Sequence, residues 1–216
     1  VFADTHGDAK KELEVVKKLI SRKIDGIVLA SVSEKEDVLK ECRKKNVPVV
    51  QVDRQIDDED TNAVLWEDFR LAYALAEHVI DKGHTNVAIE NTRLGCSTGQ
   101  NRLRGYLEAF RNQGIRIGEE NISASNFEMQ DAYEHVKSLL GKPKYPTCII
   151  CSNNIMVKGS LKAIQEKGFN IPEDISICCF GNIETNEYNL TDITNIQQDT
   201  RLMGRKAGEL LLSQIN

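Results

Sequence analysis

Short runs of apolar and β-branched residues recur along this chain, and amphipathic helical segments lie between them. This alternation predicts an α/β fold in which parallel sheets are covered by helices on both faces. Strands in such sheets are buried on both sides, so they read as continuous apolar runs. The candidate strands are residues 26–31, 47–53, 86–91, 122–125, 147–152 and 175–180, with 193–197 as a weaker run.

The charge of the chain excludes one class of partner. Its 216 residues include 28 Lys and Arg against 33 Asp and Glu, a net charge of −5, and the two signs are interspersed. A protein that binds a polyanion needs a basic patch or stripe, and the sequence has none. We therefore do not expect this stretch to bind nucleic acid directly.

Cysteine usage and hydropathy bear on the compartment. Six cysteines are present, several inside apolar runs, which fits a reducing compartment better than a disulfide framework. The longest uncharged stretches, 26–33 and 145–156, are shorter than the roughly 20 residues that a membrane-spanning helix needs. The expectation is a cytoplasmic protein with no membrane partner.

A serine hydrolase is one alternative. The segment Gly95-Cys96-Ser97-Thr98-Gly99 fits the G-x-S-x-G pattern, in which a strand leads directly into a nucleophilic serine. Here three residues separate the candidate strand from Gly95. The later histidine, His135, follows Asp131 by four residues on one predicted helix, which is a poor arrangement for a catalytic triad. A loop that leads into a capped helix is the competing interpretation of Ser97.

No cofactor or metal is expected from the motifs. Cys148-x-x-Cys151 and Cys178-Cys179 have thiols that a metal site would use, but both lie in apolar runs, where cysteine behaves as a small hydrophobe. The sequence contains no G-x-G-x-x-G, no Walker loop and no H-E-x-x-H.

Several segments, taken in order, resemble the effector-binding part of the LacI/GalR family of transcription regulators. They are KIDGIV at 23–28, VPVVQVDR at 47–54, KGH at 82–84, NRLRGY at 101–106, IPEDIS at 171–176, and IQQD at 196–199 with Met203 and Gly204. Together they extend over nearly the whole chain. Sugar-binding proteins of ABC transport share the second and fourth segments, so they are the nearest competing family.

The resemblance implies two doubly wound parallel-sheet lobes of the periplasmic-binding-protein-like (type I) architecture, with a ligand in the cleft between them. Residues 1–68 and 197–216 would form one lobe and 69–196 the other. The family's first strand and helix, and before them its helix-turn-helix, would precede Val1, and its last strand would follow Asn216. The chain is therefore expected to be truncated at both ends.

The resemblance also assigns ligand-binding residues. Arg102 matches the family arginine that reaches the ligand, and a guanidinium offers forked donors to hydroxyl pairs, carboxylates or phosphates. Asn153 matches a polar residue at a strand end, although asparagine is equally a helix N-cap. Phe127 stands where an aromatic often stacks on the ligand ring, and a core phenylalanine is the alternative. Asp53 would accept hydroxyl protons or cap the following loop.

The sequence departs from the family at Cys178-Cys179-Phe180-Gly181-Asn182, where the family usually has Gly-Phe-Asp-Asp. Gly181 has no side chain to accept the hydrogen bonds that the first aspartate commonly accepts, and Asn182 supplies only some polarity. Losing one charge-assisted acceptor forgoes roughly 1.5–3 kcal/mol. This departure favours a ligand with fewer hydroxyls, or an anionic one that Arg102 binds.

The resemblance thus implies a non-enzymatic domain that binds a small sugar-like or anionic effector. A homodimer is implied by the family, and operator DNA would be bound only through the domain that precedes Val1. The alternatives are the transport-type sugar-binding protein and, more remotely, the hydrolase at Ser97.

Overall fold

The computed structural model describes residues 1–56, 60–125, 128–183 and 193–215. The chain divides into two compact units. The first comprises Val1–Trp66, Gly95–Ser97 and Asp199–Asn216, and the second comprises Glu67–Leu94 and Thr98–Gln198.

The first unit is built on a three-stranded parallel sheet. Its elements are α1 (Ala9–Ser21), β1 (Ile27–Leu29), α2 (Asp37–Lys44), β2 (Val49–Val52), β3 (Asn62–Val64) and α7 (Thr200–Ile215), with strand order β1-β2-β3. Ile27 pairs with Val49, and Val50 pairs with Asn62. Buried apolar residues of α1, α2 and the strands form its core. Gly26 lies directly before β1, and a Cβ at this position would come within 2.8 Å of the Leu211 side chain on α7. Glycine at this position therefore lets α7 pack closely.

The second unit is built on a five-stranded parallel sheet. Its elements are α3 (Asp68–Asp81), β4 (Val87–Thr92), α4 (Ser97–Asn112), β5 (Ile122–Ser125), α5 (Met129–Leu139), β6 (Cys148–Cys151), α6 (Asn154–Glu166), β7 (Ser176–Phe180) and β8 (Thr194–Ile196). The strand order is β5-β4-β6-β7-β8. Successive side chains of a strand point to opposite faces, so this sheet has two apolar cores. Ile149 and Cys151 contribute to one, and Cys148 and Ile150 to the other.

The α/β class with parallel sheets is confirmed, and the candidate strands agree with the observed ones to within two residues at each end. Strand β3 is not predicted, because three residues of the sequence Asn-Ala-Val contain no apolar run. All six cysteines are buried free thiols. Burial raises the pKa of Cys179 to about 12 and, aided by Glu41, that of Cys42 to about 11. These groups remain neutral thiols and pack as apolar side chains.

Candidate functional site

Polar side chains collect at the carboxyl ends of β4, β6 and β7, which are neighbours in the second sheet. Asn91 and Thr92 end β4, Ser152 and Asn153 follow β6, and Gly181 follows β7. In doubly wound α/β folds, ligands bind at this edge, outside the carboxyl ends of the parallel strands. We therefore expect a binding site of this unit to lie at this edge of the sheet.

Arg102, on the second turn of α4, lies at this edge with its guanidinium held on three sides. Its Nε donates to Oδ1 of Asp68 at 2.7 Å, and its Nη1 donates to the backbone carbonyl of Ser152 at 2.6 Å. The guanidinium carbon lies 3.9 Å from the ring centroid of Phe180, the last residue of β7. The competing interpretation of a solvated surface arginine is wrong, since the side chain is only 7% exposed.

Gly105 explains why α4 comes close enough to α3 for this pair to form. A Cβ at Gly105 would lie 2.4 Å from the carbonyl oxygen of Phe69 and 3.0 Å from the Cβ of Ala72. Any side chain here would push the two helices apart. Because Gly105 lets α4 lie close to α3, Arg102 can reach Asp68, the first residue of α3.

A second set of hydrogen bonds fixes the strand ends themselves. The Ser152 hydroxyl donates to Oδ1 of Asn91 at 2.8 Å. The Asn91 amide in turn donates to the carbonyls of Thr92 and Gly99, at 2.9 and 3.1 Å. These buried groups satisfy one another, so they hold the edge in one arrangement.

The side-chain amide of Asn153 caps α6 through its oxygen and leaves its nitrogen without a hydrogen-bond partner among the described residues. Its Oδ1 accepts from the backbone N–H of Met156 at 2.9 Å, which makes it the N-cap of α6. Its Nδ2 is buried without a hydrogen-bond partner in the described part of the protein. Leaving a buried donor unsatisfied costs about 1–3 kcal/mol, a cost that a ligand oxygen would remove.

Asn182, by contrast, has both ends of its amide engaged. Its Oδ1 accepts from the backbone N–H of Gln198 at 2.7 Å, and its Nδ2 donates to the carbonyl of the same residue at 2.9 Å. Gly181 beside it carries no side chain. Among the described residues directly after β7, positions 181–183, none presents a carboxylate to a ligand.

Asp53 belongs to the first unit and follows β2. Its φ of 62° lies in the left-handed region, which is uncommon for a residue other than glycine. Its carboxylate lies 4.0 Å from Nε of Arg54. The next loop is fixed by Gln51, whose buried side chain accepts from the N–H of Ile56 at 2.7 Å and donates to the carbonyl of that residue at 3.1 Å. The fifth predicted residue, Phe127, lies outside the described residues.

His135 is engaged through both ring nitrogens, which removes the general base of the hydrolase alternative. Nδ1 lies 2.6 Å from Oε1 of Glu90, and Nε2 lies 3.1 Å from the carbonyl oxygen of Glu120. Burial raises the pKa of Glu90. Burial also acts to lower the pKa of His135, but the hydrogen bond and charge of Glu90 outweigh it, so the net shift is upward.

Sequence reasoning did not identify three partners of Arg102, namely Asp68, Ser152 and Phe180. An acidic residue at the start of a helix is ordinarily interpreted as interacting with the helix dipole, so Asp68 carried no separate signal. Phe180 and Ser152 end apolar strands, where core packing is the ordinary interpretation.

The described residues are 1–56, 60–125, 128–183 and 193–215. In these ranges no cluster of three or more His, Cys, Asp or Glu side chains is arranged to hold a metal ion. No helix in the same ranges combines the length and apolar character that crossing a bilayer requires.

Comparison with known proteins gives one consistent result. Residues 3–216 match the family described as "Periplasmic binding proteins and sugar binding domain of LacI family". The chain is 29% identical over 216 residues to the HTH-type transcriptional repressor PurR of Pasteurella multocida (strain Pm70), which covers 100% of this chain and 65% of that protein. It is 31% identical over 214 residues to the protein of the same name from Glaesserella parasuis serovar 5 (strain SH0165), with 99% and 63% covered.

The fold comparison agrees. The crystal structure of transcription regulator CcpA of Lactococcus lactis superposes with a TM-score of 0.89 at 25% identity, covering 100% of this chain and 79% of that one. The chain spans slightly less than two thirds of the length of the two curated relatives.

Proposed function

Because the chain belongs to the family of periplasmic binding proteins and LacI-family sugar-binding domains, we propose that it is the effector-binding domain of a LacI/GalR-type transcription regulator. It binds a small molecule and performs no chemistry on it. The relatives are named as HTH-type transcriptional repressors, which favours a regulator over a transport-type sugar-binding protein.

The observation that carries the proposal is the arrangement of Arg102 at the carboxyl edge of the second sheet. Asp68, Ser152 and Phe180 fix the guanidinium before any ligand arrives. A donor whose orientation is already fixed loses little conformational entropy when a ligand binds. Arg102 is thus the polar anchor of the effector, and the unsatisfied Nδ2 of Asn153 is a second donor on the same edge.

The chemistry of this edge defines the class of effector. Arg102 and Asn153 supply donors, whereas Gly181 supplies nothing and the Asn182 amide is already engaged. Asp68 is engaged by Arg102, so the edge offers no uncommitted carboxylate among these residues. Carbonyl, carboxylate and phosphate oxygens are the complementary groups. The effector therefore carries at least one such group, and a simple polyhydroxylated sugar binds less well.

The action of the whole protein follows from the family. The remaining third or so of the relatives' length has room for a DNA-binding domain, and the intact protein binds its operator through that domain as a cytoplasmic homodimer. The effector acts by population shift: it binds one conformation of the domain better than another and so changes the affinity for DNA. Phe127 and Asp53 remain proposed ligand contacts.

A thermal-shift screen tests the proposal. The compounds are neutral sugars, sugar phosphates, sugar acids and small carboxylates, each well above its expected Kd. A ligand at 100 times its Kd adds about 2.7 kcal/mol to stability, which shifts the melting temperature of a domain this size by several degrees. We expect hits among the anionic compounds, with stabilisation in Arg102→Lys reduced to about half or less. No stabilising compound in any class, or hits confined to neutral sugars, would contradict the proposed effector class.

A further inference from the structure

A shallow apolar groove runs along the exposed face of α4, away from the buried Arg102. Its two adjoining depressions have volumes of about 470 and 390 Å³ and share Leu107 and Arg111. The apolar lining consists of Leu94, Leu103, Leu107, Ile115 and Ile117. Leu94 is 47% exposed, and the other four side chains are only partly buried. The groove thus joins an apolar floor to the charged side chains beside it.

The charges around the groove are opposite in sign to the charge of the chain. Three arginines, Arg104, Arg111 and Arg116, line it together with one carboxylate, Glu108. Glu108 is itself engaged, since its Oε2 lies 3.6 Å from Nη2 of Arg111. The groove is thus locally basic in a chain with net charge −5. A partner with complementary charge is acidic.

The spacing of these residues defines the shape of the partner. Leu103 and Leu107 are four residues apart on α4, and Arg104 and Arg111 are seven apart, so each pair forms a row along the helix axis. From Leu103 to Arg111 the rows extend about 12 Å, a little over two turns of a second helix. Arg104 is held in place, because its guanidinium carbon lies 4.7 Å from the ring centroid of Phe69.

We propose that this α4 groove binds an acidic amphipathic helix of a partner protein. The apolar stripe of that helix packs on Leu94, Leu103 and Leu107, and its flanking carboxylates face Arg104 and Arg111. This is helix-in-groove recognition, in which spaced apolar anchors supply affinity and charges supply orientation. The inference does not depend on the effector site, since it involves the opposite face of α4.

Fluorescence polarisation with designed peptides tests this proposal on the 216-residue chain. The probe is a labelled helical peptide of about 14 residues, with leucines at helical spacing and glutamates beside them. One comparison peptide replaces every glutamate by lysine, and another replaces every leucine by alanine. We expect the acidic leucine peptide to bind at least tenfold more tightly than either, and to bind less tightly as salt increases.

Two protein variants locate the binding surface. Arg111→Glu, at an exposed position, is expected to weaken the acidic peptide at least tenfold, and Leu94→Ser is expected to weaken it severalfold. Arg205→Glu, an equally exposed arginine on α7, serves as the matched control and should have no effect. Equal binding of the acidic and basic peptides, or unchanged binding to Arg111→Glu, overturns the proposal. So does concentration-dependent self-association that Arg111→Glu abolishes, because a second copy of the chain would then occupy the groove.

Discussion

The Nε of Arg102 donates a hydrogen bond to Oδ1 of Asp68 across 2.7 Å, with both side chains more than nine-tenths buried. The two residues are 34 positions apart and lie on different helices, α4 and α3. Inside the protein such a pair is sensitive to the loss of either member, because the remaining charge is left buried without compensation. The same contact fixes the orientation of the guanidinium.

Asp68→Asn is expected to destabilise the fold by about 3 kcal/mol, because it leaves the Arg102 charge buried without its counter-ion. Urea unfolding followed by circular dichroism measures the change. Glu67→Gln is the matched control, since its ion pair with Arg70 is exposed and should contribute less than about 0.5 kcal/mol. Equal effects of the two substitutions would show that the buried pair has no special role in stability.

Arg102→Lys is expected to weaken effector binding at least tenfold while the protein stays folded. Lysine retains the positive charge near Asp68, but it lacks the planar fork that donates to Ser152 and to Asp68 and through which we propose that Arg102 binds the ligand. Isothermal titration with the best compound of the screen measures the affinity. Arg104→Lys, two positions away on the exposed face of α4, should leave that affinity unchanged. A lysine variant with wild-type affinity would remove Arg102 from the site.

Gly105→Ala is expected to cost about 1–3 kcal/mol of stability, because the new methyl group would meet the Phe69 carbonyl at 2.4 Å. Gly204→Ala on α7 is the control. A Cβ there has no neighbour within 4 Å, and alanine has the higher helix propensity, so stability should rise by up to about 1 kcal/mol. Thermal unfolding of both variants compares them. If Gly105→Ala were neutral, α4 and α3 would not need their close approach.

The Glu90 and His135 pair is expected to make the fold less stable as the pH rises. A histidine whose pKa is raised in the folded state stabilises the fold fully below its unfolded value near 6.5, and this contribution is lost as the pH rises through the higher folded value. The raised pKa of Glu90 acts in the same sense, since ionising a buried carboxyl opposes folding.

Unfolding free energies at about pH 6 and pH 9 test this dependence. Wild type should lose more stability across the interval than Glu90→Gln, which has no carboxylate to ionise. His78→Gln, at an exposed position on α3, should behave as wild type. Parallel losses in wild type and Glu90→Gln would contradict the prediction.

The order and class of the elements were predictable because fully buried parallel strands leave continuous apolar runs, as at Cys148–Cys151. Short or polar elements leave no such signal, and β3 was missed for that reason. Buried polar groups are equally hard to predict. Glu12 on α1 is an acidic residue on a surface-type helix in the sequence, yet it accepts from the Ser31 hydroxyl and the Val32 N–H, at 2.8 and 2.6 Å.

The candidate site was only partly predictable for a related physical reason. The family resemblance and the strand ends indicated Arg102 and Asn153, but the groups that position Arg102 come from distant parts of the chain. Local sequence also contains nothing to show that Gln198 engages the Asn182 amide. Such pairings arise only when the sheet is assembled, so they must be read from the structure.

A crystal structure of the chain with the best compound of the thermal-shift screen tests the central claim most directly. We expect an oxygen of the bound compound to lie within about 3.2 Å of the Arg102 guanidinium and of Nδ2 of Asn153, a hydrogen-bonding distance. A compound bound away from the carboxyl ends of β4, β6 and β7, with Arg102 contacting only Asp68, Ser152 and Phe180, would contradict it.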